Sequence, residues 1–206
     1  MCFSFTRPDP TKTAGRFGMA LAGLVDQLPE SERVRLEVCS RDTYPGNLAM
    51  VSRLTNNSLI SDFKVFGYPG IKTRRPIYNA RSETADKLAI WKSSLKNRRC
   101  VVPAGGFYEY DVFKARHLFT AKELPTILLG AVYAPGAVSE VFGHFAILTV
   151  PASAAVAEIH DRMPVIIPEE DLLAWFGRDY KPLMTTSKLE LVREQIPSRT
   201  ARKEKS

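Results

Sequence analysis

No stretch of apolar residues in this 206-residue chain approaches the ~20 that a membrane-crossing helix requires, so a helical membrane protein is not expected. The N-terminus, Met1-Cys2-Phe3-Ser4-Phe5-Thr6-Arg7-Pro8, lacks the basic segment and apolar stretch of a secretory signal, and the expected location is cytoplasmic. Cysteine is scarce. Cys2, Cys39 and Cys100 are the only three, an odd number that argues against a disulfide framework, and none stands in a CxxC spacing. With only His117, His144 and His160 as histidines, a zinc site is not expected either, and no cofactor is called for. The chain also has no internal repeat and no low-complexity block.

What is present is the balance of an ordinary globular protein, with 45% hydrophobic and 25% charged residues. The length suffices to bury a core without staples. One domain over residues 1–197 is expected, followed by a basic, polar tail at 198–206 that frays. The formal net charge of +7 fits an acidic partner such as nucleic acid, although many basic proteins bind none.

Apolar spacing predicts an amphipathic helix over 15–28, carrying Phe17, Leu21, Leu24 and Leu28. Strands are expected at 48–53 and 59–66 around an Asn56-Asn57 hairpin tip, after a turn at Tyr44-Pro45-Gly46-Asn47. A short helix is expected over 83–96, bearing Leu88, Ile90, Trp91 and Leu95. Further strands are expected at 99–103, at 107–110 with a half-buried alternation, at 126–133, 144–150 and 164–167. Helices are expected at 152–159 and 169–176. Strands and helices mix without βαβ alternation, which points to α+β with a mostly antiparallel sheet.

Four segments carry chemistry. Cys2, once Met1 is trimmed, would present a thiol and a free α-amine on adjacent carbons. That amine has a pKa near ~8, far below a lysine's ~10.4, and can condense with an aldehyde to a Schiff base that the thiol closes into a thiazolidine. On position alone, Cys2 reads first as an ordinary apolar residue near a chain end. Asn79-Ala80-Arg81-Ser82-Glu83-Thr84 reads as a loop leading into a helix, with Ser82 as cap, Glu83 on the helix dipole and Arg81 able to hold a phosphate. Arg98 to Tyr110 places Glu109 among aromatic residues, either buried with a raised pKa and able to move protons, or on the solvent face. His160-Asp161-Arg162-Met163-Pro164 sets a histidine at an element boundary, as a proton shuttle or a helix C-terminal cation.

In this order the four segments resemble the SRAP family (SOS-response-associated peptidase, abasic-site processing). Its pattern is Met-Cys, Asn-Ala-Arg-x-Glu-Thr, Arg-Arg-Cys-x-x-Pro-x-x-Gly-Phe-x-Glu-Trp and His-x-Arg-Met-Pro; here they stand at Met1-Cys2, 79–84, 98–110 and 160–164. Trp91-Lys92 falls where the family has an aromatic and a basic residue. The likeness departs at Phe3-Ser4, where many members have Gly-Arg, at the short 44–48 loop, at Phe66-Gly67-Tyr68-Pro69 in place of a Trp-Gly segment, and at Tyr110 in place of Trp.

The resemblance implies the SRAP fold, an α+β arrangement with a barrel-like, mostly antiparallel β core flanked by short helices. It implies covalent capture of abasic sites, chiefly in single-stranded DNA, by a monomer that joins the nucleoid on damage. Cys2 would be the nucleophile, Asn79 would hold its terminus, Glu109 would move protons and His160 would assist opening of the deoxyribose. Arg81 and Arg162 would bind phosphates, with Thr149, Trp91, Lys92, Arg98 and Arg99 as further DNA contacts. Lys72, Arg74, Arg75 and Lys96 are candidates for backbone tracking, and Phe3, Phe66, Tyr68 and Trp91 for base stacking, with core packing the competing fate. The family's older name adds a thiol peptidase pairing Cys2 with His160, and a non-covalent single-stranded DNA module is the third reading.

Overall fold

The computed structural model describes Cys2, residues 4–9, Leu24, residues 30–31, 42–70, 76–136 and 142–197. The expected helix at 15–28 (apart from Leu24), Phe3, Cys39, the basic run holding Lys72, Arg74 and Arg75, and the tail at 198–206 lie outside the described residues.

The architecture is α+β, with two mostly antiparallel sheets and few short helices. The first sheet contains β1 (Ser4–Thr6), β2 (Asp42–Thr43), β7 (Gly106–Tyr110), β8 (Arg116–Ala121) and β12 (Leu191–Ile196), in the order β12-β8-β7-β1-β2. The second is built from β3 (Leu48–Thr55), β4 (Ser58–Phe66), β5 (Asn79–Arg81), β6 (Arg99–Ala104), β9 (Ile127–Ala134), β10 (His144–Pro151) and β11 (Arg162–Pro164). Strands β10, β4, β3, β6 and β9 pair successively and β9 pairs back onto β10, so their hydrogen bonds close a barrel-like ring. The two sheets share one apolar core that includes Phe107 and Ile147, and in it Phe5 from the first sheet meets Phe66 and Phe145 from the second.

Local sequence explains several joints. The β3–β4 hairpin turns on Asn56 and Asn57, both at positive φ (49° and 60°), which asparagine tolerates better than most residues and which a two-residue hairpin requires. Gly106, at the start of β7, lies so close to β8 that a Cβ there would sit 2.5 Å from the Phe119 carbonyl oxygen, so only glycine allows that pairing.

Other elements differ from expectation. The helix over 83–96 is two: α1 (Ser82–Ala85) and α2 (Ala89–Asn97). The N–H groups of both Lys87 and Leu88 donate to the Thr84 carbonyl, ending α1, and Leu88 is extended. The restart lets Trp91 and Leu95, one helical turn apart, both face the core. The 152–159 helix is the single turn α3 (Ala154–Ala157), because Ser153 is extended at its entrance. The 169–176 helix begins as a 3-10 turn and becomes α4 (Leu172–Phe176). The strand at 164–167 is displaced to 162–164. Beyond it the N–H of Val165 donates to Leu148 and that of Ile167 to Leu128, so the segment is shared between two strands instead of paired along one.

Asn79–Arg81 is a strand, not a loop, and Ser82 caps nothing. Strand β7 is buried on both faces from Gly106 to Glu109, not half-buried. Strands β8 and β12 were not expected. The polar β12, largely exposed, is held by its ladder to β8 and has no apolar stripe to betray it. No helix among the described residues is long and apolar enough to cross a membrane.

Candidate functional site

Strand register gathers the four sequence blocks. β1 runs antiparallel to β7, with Ser4 opposite Tyr108 and Thr6 opposite Gly106, so the chain upstream of Ser4 leads toward the end of β7 that carries Glu109. β10 acts as a plank for the other two blocks. Asn79 and Arg81 of β5 lie beside Ile147 and Thr149 on one edge, and Pro164 and Arg162 of β11 lie opposite Thr149 and Pro151 on the other. The first sheet therefore supplies Cys2 and Glu109, and the second supplies Asn79 and the His160 block.

Cys2 is fully buried. Its carbonyl oxygen accepts a hydrogen bond from Asn79 Nδ2 at 3.0 Å, a link across 77 residues of sequence. The other amide atom, Asn79 Oδ1, is buried with no hydrogen-bond partner among the described residues, leaving an acceptor available beside Cys2. Burial drives the Cys2 thiol well above its ordinary pKa, and the nearby Glu109 carboxylate pushes it further. The thiol therefore stays protonated at neutral pH.

Glu109 is 1% exposed, which eliminates the solvent-face alternative. Burial raises its pKa to about 7; the positive amino terminus opposes the rise and the Asp161 carboxylate adds to it. A carboxyl group near pKa 7 populates both acid and base forms at neutral pH.

His160 follows α3, with its N–H bonded to the Val156 carbonyl. Its Nδ1 accepts the backbone N–H of Arg162 at 3.0 Å and lies 3.0 Å from Asp161 Oδ1. These two contacts demand opposite states of Nδ1. Burial, followed by the amino-terminal charge, lowers the pKa of His160, so the neutral ring with a bare Nδ1 is the consistent state at pH 7. The remaining proton then sits on Nε2.

The proposed DNA contacts divide sharply. Arg81 and Lys92 are exposed, and Lys92 shares a cleft with Lys96, Arg178 and Lys181. Arg98 is half-buried and ties α2 to β9 by donating to Ser94 Oγ and to the Tyr133 carbonyl. Arg99 cannot serve as a phosphate ligand. All five of its N–H donors are directed at the carbonyls of Leu95, Lys96, Trp175, Phe176 and Gly177, at 2.5–3.0 Å. It thus binds the C-terminal ends of α2 and α4, where helix carbonyls lack partners. Trp91 is buried edge-on to Tyr68, with ring centroids 4.7 Å apart, and Phe66 is buried too, so none of these three is a base-stacking surface.

Thr149 is fully buried, within β10. Arg162 Nη2 donates to its carbonyl at 2.6 Å, and the Arg162 guanidinium also forks onto the Glu83 carboxylate. Arg162 and Thr149 are therefore braces within the site wall. Glu83 stands in the first turn of α1, as expected, but the sequence did not name Arg162 as its partner. Its partner lies on the opposite edge of β10, and no local signal marked the pairing.

Among the described residues no cluster of His, Cys, Asp and Glu is arranged to hold a metal ion.

A buried cysteine beside an amide, a carboxyl whose pKa is raised to about 7 and a histidine favoured in its neutral form are groups of the kind that nucleophilic and proton-transfer chemistry uses. The family model for SOS response associated peptidase (SRAP) matches residues 55–201, and the chain belongs to that family. Cys2 lies ahead of the matched stretch. The abasic site processing protein YobE of Bacillus subtilis is 29% identical over 105 residues, 48% of each chain. The abasic site processing protein YedK of Escherichia coli is 25% identical over 140 residues, covering 66% of this chain and 63% of that one. The match thus spans about half to under two-thirds of these relatives' length. A solved structure from Bacteroides thetaiotaomicron superposes with a TM-score of 0.74 at 14% identity, covering 98% of this chain and 94% of the other. One from Bordetella bronchiseptica gives 0.71 at 18%, covering 96% and 100%. At such identities they establish the fold alone.

Proposed function

We propose that this protein captures abasic sites in single-stranded DNA covalently, through Cys2 after removal of Met1, and so shields the lesion during the DNA-damage response. The observation that carries this reading is the hydrogen bond from Asn79 to the backbone of a fully buried Cys2, next to a carboxyl group poised near pKa 7.

The chemistry balances without redox change. The Glu109 carboxylate takes the anomeric hydroxyl proton and returns it to the deoxyribose ring oxygen, which the His160 Nε2–H holds by a hydrogen bond, and the aldehyde opens. The α-amine of Cys2 adds to the aldehyde carbon. Glu109 relays the two amine protons in turn to the former carbonyl oxygen, which leaves as water as the imine forms. The sulfur then adds to the imine carbon, and the thiol proton passes to the ring nitrogen, closing a thiazolidine. Asn79 Oδ1 is placed to accept a hydrogen bond from the amine or the sugar. Arg81 is the exposed cation of this site suited to a flanking phosphate. No metal or cofactor enters any step.

The names of the relatives point to the same lesion. A thiol peptidase would need a ready thiolate, whereas burial and the Glu109 charge hold the Cys2 thiol protonated. The test is an SDS-resistant adduct with an abasic single-stranded oligonucleotide. Expected are adduct formation by protein whose mass shows loss of Met1, none by Cys2→Ala, and none by protein that retains Met1. Stable cross-linking by Cys2→Ala sinks the mechanism. Salt-sensitive binding with no adduct makes the protein a non-covalent DNA module.

A further inference from the structure

The β7–β8 hairpin, which carries Glu109 near its tip, ends in a turn that faces two large apolar side chains into solvent. Val112 and Phe113 are each 88% exposed, the highest of any large hydrophobic residue described, and Phe113 is the only aromatic among the strongly exposed ones. Phe66, Tyr68 and Trp91, the other aromatics considered for stacking, are buried.

The turn is rigidly braced. Asp111 Oδ1 accepts the N–H groups of both Phe113 and Ala115 at 2.9 Å, and Oδ2 lies 3.1 Å from His117 Nε2. The backbone of Asp111 pairs with that of Ala115 and accepts the N–H of Lys114, which adopts the left-handed conformation (φ 62°). A turn held by this many bonds keeps its apolar tip presented with little conformational entropy left to lose on binding. Exposing the tip costs hydrophobic free energy, and a braced, exposed aromatic next to a lysine calls for a partner.

We propose that Val112 and Phe113 form a stacking platform for a nucleobase of the single-stranded DNA that enters the Glu109 site. This rests on the abasic-site reading and names how the strand beside the lesion is held. Phe113 lies four residues past Glu109, so it stands at most about 14 Å from it along the extended chain. At a nucleotide rise of ~3.4 Å that distance corresponds to about four nucleotides or fewer. The partner is a polyanion because the chain is strongly basic (+7) and the exposed Lys114 follows Phe113 in the turn. Every base offers a π-face, so the contact requires no particular sequence.

The experiment uses Phe113→Trp and Phe113→Ser in the full-length protein. Their exposure makes both neutral to folding, as a thermal melt will verify. The native tryptophans are buried, so an indole at position 113 reports on the tip. Expected are quenching of that indole by an intact single-stranded oligonucleotide, and affinity for it about 5- to 100-fold weaker in Phe113→Ser, the range of a lost base stack. An unquenched indole, or equal affinity in Phe113→Ser, overturns the proposal. So does an oligomer in the native protein that Phe113→Ser dissociates, since the platform would then serve a second copy. The oligonucleotide has no abasic site, so the two readings fail separately. Quenching without adduct formation on abasic DNA removes the capture chemistry only, and adducts with a silent tip remove the platform only.

Discussion

Arg162 and Glu83, 79 residues apart, meet across β10 in a two-pronged ion pair, Arg162 Nη1 with Glu83 Oε1 and Nη2 with Oε2, the latter at 2.9 Å. The same guanidinium holds the Thr149 carbonyl between them. Each residue belongs to one of the blocks that flank the candidate site, so this brace fixes the distance between Asn79 and His160.

Arg162→Ala is expected to lower unfolding stability by roughly 2–4 kcal/mol, read from the urea midpoint, because it strips the largely buried half of the pair. Glu83→Gln will cost less, since its carboxylate is partly exposed. The Arg162 hydrogen bond lowers the pKa of Glu83 to about 2. A depressed carboxylate contributes stability above its unfolded pKa, and that contribution is lost as pH falls toward 2. The native protein will therefore lose acid stability in a window that Glu83→Gln lacks.

Glu109 gives the opposite sign. Its folded pKa of about 7 stands above the ordinary carboxyl value of 4.5. The protonated form is favoured in the folded state, so its contribution is complete below about pH 4.5, declines as pH rises and is gone above about 7. Glu109→Gln will be the more stable protein above pH 7, by roughly 2–4 kcal/mol, with a flat urea midpoint over the window in which the native one declines. Its adduct formation will be slower and will lack the titration near pH 7.

Arg99→Ala will destabilise the fold by roughly 3–4 kcal/mol, by leaving the carbonyls of two helix ends without a charged donor. Arg99→Lys will not restore it, since an ammonium cannot reach five carbonyls in two directions. Affinity for single-stranded DNA, measured below the melting transition, will be unchanged in both.

Asn79→Ala will retain its fold within about 1 kcal/mol, the value of a single hydrogen bond. Adduct formation will slow by about tenfold, from loss of the bond that positions Cys2. Asn79→Asp tests the donor directly. It keeps the shape but cannot donate to the Cys2 carbonyl, so a rate like that of alanine is expected.

The sequence alone determined the class of the fold and brought forward the residues proposed to react. Alternating apolar runs predicted β3, β4, β6, β9 and β10, because buried strands must place apolar side chains at regular intervals. Four blocks in a fixed order, each inconclusive alone, singled out Cys2, Asn79, Glu109 and His160, because order and spacing along the chain are legible without the fold.

Tertiary structure alone decided what the cations and aromatics do. Arg99, Arg162 and Trp91 look in sequence like surface for DNA, yet the fold turns them into two helix caps, a wall brace and a core ring. Whether a guanidinium faces phosphate or a carbonyl depends on partners 76 to 79 residues distant, which no local pattern encodes. Strand β12 escaped notice for a related reason: its stability comes from a ladder with β8, not from its own side chains. The pKa of Glu109 is likewise tertiary, since the burial that raises it comes from packing around β7 and not from the strand's own sequence.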